Sequence, residues 1–165
     1  VELRGNVDTR IRKLREGEVD GLVLALAGLR RLGLEDEVAF AFDLEQMVPA
    51  AGQGALVVQC RQGGEEEAGR PTLNDFESEQ RLLAERAAVI GLEADCSSPI
   101  GIHARIDGDS LRIDGFAGLV DGSEWIRDTV KGSSAHPEAV GSELARRMTS
   151  AGARELLDRA AGEAT

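Results

Sequence analysis

Between Ile100 and Val130 the chain alternates three strand-like apolar runs with two Asp-Gly reversals, a pattern that few folds accommodate. The runs are Ile100 to Ile106, Leu111 to Leu119 and Trp125 to Val130, and the reversals are Asp107-Gly108-Asp109 and Asp121-Gly122-Ser123. Short spacing with a glycine at each turn specifies an antiparallel meander. A sheet this small needs one face covered, and the flanking sequence offers the cover. Ahead of it, Thr72 to Glu93 has a long helical pattern with Phe76, Leu82, Leu83, Ala87 and Ile90 available for a buried face. Behind it, Pro137 stands near a helix start, Val140, Leu144 and Met148 recur at helical spacing, and Ala153, Leu156 and Leu157 follow. Residues 72–165 therefore read as a small α+β domain, with helices on one face of a three-stranded antiparallel sheet.

The first third has a different character. Val1 to Leu3 reads as the end of a strand, and Asn6 can cap a helix carrying Val7, Ile11 and Leu14, with Gly17 as its stop. Val19 to Leu26 is short and nearly continuous in apolar character, which suits a buried strand covered on both faces. A second short helix, Ala27 to Leu32, ends at Gly33, and Val38 to Phe42 and Ala55 to Arg61 read as further strands. Strand, helix, strand, helix, strand is an α/β signature. Gln62 to Pro71, rich in glycine and glutamate, reads as an exposed linker. The chain opens on Val1 without an initiator methionine, on a strand with nothing ahead to pair with, and so reads as a piece of a longer protein.

Composition narrows the partners. A chain of 165 residues with 42% hydrophobic residues is globular, one average domain or two small ones. A net charge of -11 excludes nucleic acid or an anionic membrane as the main partner, because both need a basic face. Cys60 and Cys96 could form at most one disulfide, and no apolar stretch reaches membrane-spanning length or reads as a signal peptide, so the cytoplasm is the expected location. Cysteine and histidine are too few for an ordinary zinc site, and no P-loop or dinucleotide-binding glycine pattern occurs, so no metal is expected.

Three constellations carry chemistry. Arg4-Gly5-Asn6-Val7-Asp8-Thr9-Arg10 places arginines around a helix start, where Gly5 admits a ligand and free amides favour a carboxylate or phosphate. The same string is compatible with a capped helix bearing a solvated basic face. Gly52-Gln53-Gly54 leaves the Gln53 amide unobstructed for a ligand, or serves as a plain turn. Cys96 lies between a helix end and a turn fixed by Pro99, beside Asp95 and Glu93 and far in sequence from His103 and His136. Those neighbours disfavour a thiolate, which excludes a protease or thioredoxin-like role and leaves either an inert turn thiol or a covalent tether.

In this order these segments resemble hydroxymethylbilane synthase, also called porphobilinogen deaminase. The resemblance rests on Leu3-Arg4-Gly5-Asn6-Val7-Asp8-Thr9-Arg10, Ala27-Gly28-Leu29-Arg30-Arg31-Leu32-Gly33-Leu34, Pro49-Ala50-Ala51-Gly52-Gln53-Gly54-Ala55, Ala84-Glu85-Arg86 and Cys96-Ser97-Ser98-Pro99-Ile100-Gly101. It departs at Ala94-Asp95, where the family commonly has two glycines. The resemblance implies a cytoplasmic transferase of tetrapyrrole and heme biosynthesis, expected to be a monomer at full length. Such an enzyme joins four porphobilinogen molecules head to tail with release of ammonia. It further implies a dipyrromethane cofactor attached through Cys96, with Arg4, Arg10 and Gln53 near the cofactor and Arg4, Arg10 and Arg31 binding substrate carboxylates. Residues 1–54 would complete a doubly wound, periplasmic-binding-protein-like second domain. Residues 55–71 would return toward a first domain and link onward, and 72–165 would be the cofactor-bearing third domain. The family's catalytic aspartate lies upstream of the matched strings, so neither Asp8, Asp20 nor Asp43 takes its role and the isolated fragment is expected to be inactive. The alternative is a non-catalytic binding or regulatory module derived from the same family.

Overall fold

The computed structural model describes residues 3–53, 55–64 and 70–163. They form two compact units, Val1–Asp43 and Leu44–Thr165.

The first unit holds helix α1 (Val7–Arg15), helix α2 (Leu26–Arg31) and a single 3-10 turn, Glu35–Glu37. Asn6 precedes α1 in extended conformation, and Gly17, with φ of 77°, takes the left-handed turn that stops it. Arg12, Lys13 and Arg15 in the last turn sit at the negative end of the helix dipole. Its apolar interior is thin, with Ile11 and Leu29 as buried residues among those described.

The strands expected at 19–26, 38–42 and 55–61 are not formed among the described residues. A strand of this kind exists only through its ladder, and the described chain offers these runs no neighbour to pair with. Several of their large side chains are accordingly in water, with Val23, Phe40 and Phe42 at least half exposed and Leu56 85% exposed. The opening strand expected at Val1 to Leu3 falls largely outside the described residues.

The second unit follows the expected meander. A one-turn helix, α3 (Arg70–Leu73), precedes α4 (Phe76–Gly91), after which come β1 (Ile100–Asp107), β2 (Ser110–Gly118), β3 (Trp125–Ser133), α5 (Pro137–Ser150) and α6 (Ala153–Glu163). The sheet is antiparallel in the order β1-β2-β3. Asp75 caps α4 by accepting the Ser78 amide at 2.7 Å, which is why the helix begins at Phe76 and not at Thr72. One sheet face presents Ile102, Ala104, Leu111 and Ile113, all fully buried against α4 and α5 together with Leu144 and Met148.

The buried stripe of α4 differs from the large apolar side chains that its sequence offers. Ala84, Ala88 and Leu92 face the core, while Phe76 and Ile90 are each 69% exposed. The reason is how closely α5 approaches. A Cβ on Gly141 would meet the Ala84 carbonyl oxygen, one on Gly91 would stand 2.6 Å from the Ala145 Cβ, and one on Gly115 would stand 2.6 Å from the Met148 sulfur. Only small residues fit between the elements, so the bulky positions of α4 turn outward.

Gly141→Ala should therefore be strongly destabilising, since the added methyl meets backbone that cannot swing aside; a loss of about 1–3 kcal/mol or more is expected in urea unfolding. Gly162→Ala, in open space on α6, should leave the midpoint unchanged or raise it slightly.

Candidate functional site

In the first unit, α1 starts at an open hollow of about 510 Å³ whose lining includes Gly5, Asn6, Asp8 and Arg10. Asn6 makes no side-chain cap bond, so the first-turn amides keep their donor capacity for a ligand. Gly5 has φ of 118° and the Thr9 side chain lies 3.1 Å from where a Cβ would stand, so no other residue fits there without strain. Arg10 is held in place by its Nε, which donates to the Gly5 carbonyl at 2.9 Å. Its remaining guanidinium donors stay available to an anion. Arg4 is exposed just ahead of the hollow, and Arg31 is exposed in the last turn of α2. Neither belongs to the hollow's lining.

In the second unit, Cys96 is a free, exposed thiol. It sits in a turn organised by its neighbour. Asp95 Oδ1 accepts the Ser97 amide at 2.8 Å, the Ser97 hydroxyl at 2.6 Å and the Ser98 amide at 3.1 Å. The Ser98 hydroxyl oxygen accepts the Asp95 amide at 3.0 Å. These bonds, the Ser97 hydroxyl foremost, hold the Asp95 carboxyl below the usual carboxylate range. Ahead of the turn, Arg154 of α6 donates to the Gly91 carbonyl at 3.0 Å and pairs with Glu93 at 2.7 Å, fixing the end of α4. The thiol is thus displayed from a braced loop.

The segment from Leu44 to Gln53 is tied to the same sheet. Arg127 of β3 donates to the carbonyl oxygens of Leu44 and Glu45, and the Val48 backbone packs where a Gly101 side chain would be. The Ile102 amide then donates to the Pro49 carbonyl at 2.8 Å. Glu85 completes the attachment: its Oε2 accepts the Gly52 amide at 2.7 Å and its Oε1 accepts the Ala104 amide at 2.8 Å. Gln53 itself is exposed and borders a small cavity of about 120 Å³ shared with Ser78, Arg81, Glu85 and His103.

His103 lies on the sheet face away from α4 and α5, paired across the ladder with Asp114 and 3.6 Å from Glu85. Burial is the main cause that lowers its pKa, with Arg105 and Arg81 acting the same way against Glu85 and Asp114. Asp114 is 2% exposed. Burial raises its pKa, but bonds from Arg112, Thr129 and Arg105 together outweigh this and hold it below the ordinary range.

The predicted residues thus fall in two places: Arg4, Arg10 and Arg31 in the first unit, Gln53 and Cys96 in the second. Sequence reading gave Glu85 and His103 no site role, although Glu85 lies in the matched string Ala84-Glu85-Arg86. Glu85 did leave a signal, since it is a carboxylate on the same helical stripe as Ala88 and Leu92.

Two family models match the chain. Residues 1–68 match the model described as porphobilinogen deaminase, dipyromethane cofactor binding domain, and residues 80–150 match the porphobilinogen deaminase C-terminal domain. This chain belongs to the porphobilinogen deaminase family. Porphobilinogen deaminases of Campylobacter concisus (strain 13826) and Campylobacter curvus (strain 525.92) are each 46% identical over 162 residues, covering 97% of this chain and 52% of the relative. The chain spans about half the length of the curated relatives it matches. Within the family match, Arg4, Arg10, Arg31 and Gln53 fall under the cofactor-binding model and Cys96 under the C-terminal one. Among the described residues no helix is long and apolar enough to cross a membrane.

The His103 shift sets a pH dependence. Its folded pKa lies below the ordinary 6.5, so the unfolded chain takes up the proton first as pH falls. Stability should be full above about pH 6.5 and decline as pH drops through the lower folded value. Denaturant midpoints between pH 8 and pH 5 should show this loss, and His103→Asn should flatten it.

Proposed function

We propose that this chain is the C-terminal half of a hydroxymethylbilane synthase, which builds a linear tetrapyrrole from porphobilinogen in heme biosynthesis. The observation that carries the reading is the Cys96 turn, a free thiol displayed from a loop that Asp95, Pro99 and the Arg154 brace make rigid. A thiol presented in this way fits a permanent thioether anchor for dipyrromethane, because the tether forms once and must then hold its load in register. When attached, the dipyrromethane supplies the pyrrole carbon onto which successive substrate units are joined.

This chain's own residues bind and orient. Pyrroles bearing acetate and propionate groups need fixed cations, and Arg10, oriented by the Gly5 carbonyl beside open helix amides, meets that requirement. Arg4 and Arg31 are proposed to bind further carboxylates, and Gln53 to hydrogen-bond the cofactor. In this reading residues 1–54 belong to a doubly wound, periplasmic-binding-protein-like domain. Residues 55–71 lead toward a first domain, where the exposed Leu56, Val57 and Val58 would find partner strands, and residues 72–165 are the cofactor-bearing domain. A cytoplasmic, monomeric full-length enzyme is part of the proposal.

Intact mass spectrometry of the full-length protein, expressed with porphobilinogen present, tests the anchor. A dipyrromethane-sized increment is expected on the wild type and on Cys60→Ser, and none on Cys96→Ser; a bare wild-type mass would overturn the reading. Arg10→Ala should slow turnover of porphobilinogen by about 10- to 100-fold, the loss associated with one charged hydrogen-bonding partner.

A further inference from the structure

We propose that Glu85 is the positioning residue of Gln53, its carboxylate bridging the Gly52 amide and the Ala104 amide so that the Gln53 turn is held against the edge of the sheet. The inference rests on the proposed role of Gln53 at the cofactor and goes beyond it by naming what fixes that side chain.

The argument starts from the open edge of β1. With strand order β1-β2-β3, the outward amides of β1 have no strand neighbour among the described residues. The Ile102 amide finds the Pro49 carbonyl at 2.8 Å, as it would in a fourth strand. Two residues further along the same edge, the Ala104 amide meets no backbone oxygen and donates instead to Glu85 Oε1 at 2.8 Å. At that point the 49–53 segment has already turned away, because Gly52 takes φ of 72°. The other carboxylate oxygen follows the departing chain and accepts the Gly52 amide at 2.7 Å. Glu85 therefore acts as the missing rung, with one oxygen on the sheet and one on the turn.

Its chemistry suits that task, and His103 at 3.6 Å is its one close ionisable neighbour among the described residues. Glu85 is 6% exposed, and a carboxylate so placed is costly unless its oxygens are satisfied. Both are, each by an amide from a different segment. The residue that follows Gly52 is Gln53, whose own amide closes the turn onto the Ala50 carbonyl at 3.1 Å. Gln53 consequently has little backbone freedom beside Ser78, Arg81 and His103 in the adjoining cavity. Glutamine at position 85 would not serve, since its single carbonyl oxygen can take one amide while its NH2 group opposes the other.

The test uses the full-length protein, with amide hydrogen exchange at Gly52, Gln53 and Ala104 and the rate at which Cys96 acquires its mass increment from porphobilinogen. E85Q should raise exchange at Gly52 or Ala104 by roughly tenfold or more, and E85Q and Q53A should each slow loading by roughly tenfold. The double variant should be no slower than the slower single one, because both changes remove the same contact. Losses that multiply in the double variant, or wild-type exchange in E85Q, would reduce Glu85 to a structural residue and overturn the proposal. Should E85Q fail to fold, E85D, which keeps both oxygens, is expected to show the same changes in milder form, and wild-type behaviour in it would count against the bridge. A wild type that never gains mass would defeat the proposed function, and the exchange measurement would still decide the bridge by itself.

Discussion

The second unit depends on how closely α5 lies against its neighbours. Gly115 and Gly132 of the sheet, and Gly91 of α4 with Gly141 of α5 itself, clear the space in which α5 makes contact, and Leu144 and Met148 fill it completely. Three strands would not stand alone in water, so burial of this one face is what makes the meander a stable platform. The glycines matter here through volume and not through flexibility. Dense packing of this kind tolerates almost no added atoms, and it passes rigidity from the helices to the strand ends.

Everything of chemical interest in this unit hangs from β1 and the loop that leads into it. The Cys96 turn joins α4 to β1, and its rigidity comes from local bonds made by Asp95 and from Arg154 reaching across from α6. The segment carrying Gln53 runs along the free edge of the same strand, secured by a backbone rung, a close approach at Gly101 and the Glu85 carboxylate. A displayed thiol and a displayed amide are thus both referred to one rigid strand. On the sheet face opposite the helices, Asp114 remains buried because Arg105, Arg112 and Thr129 satisfy it, which keeps that polar face ordered.

The first unit is organised by local rules to a much greater degree. Its two helices are stopped by glycines and decorated by arginines, and the described residues bury very little apolar surface behind them. The features that would suit an anion need little more than this, since open helix amides, a position that only glycine fits without strain and an arginine pinned to a carbonyl are all contained within Gly5 to Arg10. Its strand-like runs are another matter, for a strand has no existence apart from the neighbour that completes its ladder.

The sequence by itself determined the elements whose information is local. Asp-Gly reversals set the meander, helical apolar spacing set α4 to α6, and the motif order around Arg10, Gln53 and Cys96 pointed to the family. Where information is shared between distant segments, the tertiary structure decided. Phe76 and Ile90 looked like core and face water, because the approach of α5 admits only alanine and glycine. The runs at 19–26, 38–42 and 55–61 have strand composition without strand structure, because pairing is a property of two segments and not of one. Glu85 was a charged letter on a helical stripe until folding brought two orphan amides to its two oxygens, and no local pattern encodes that meeting.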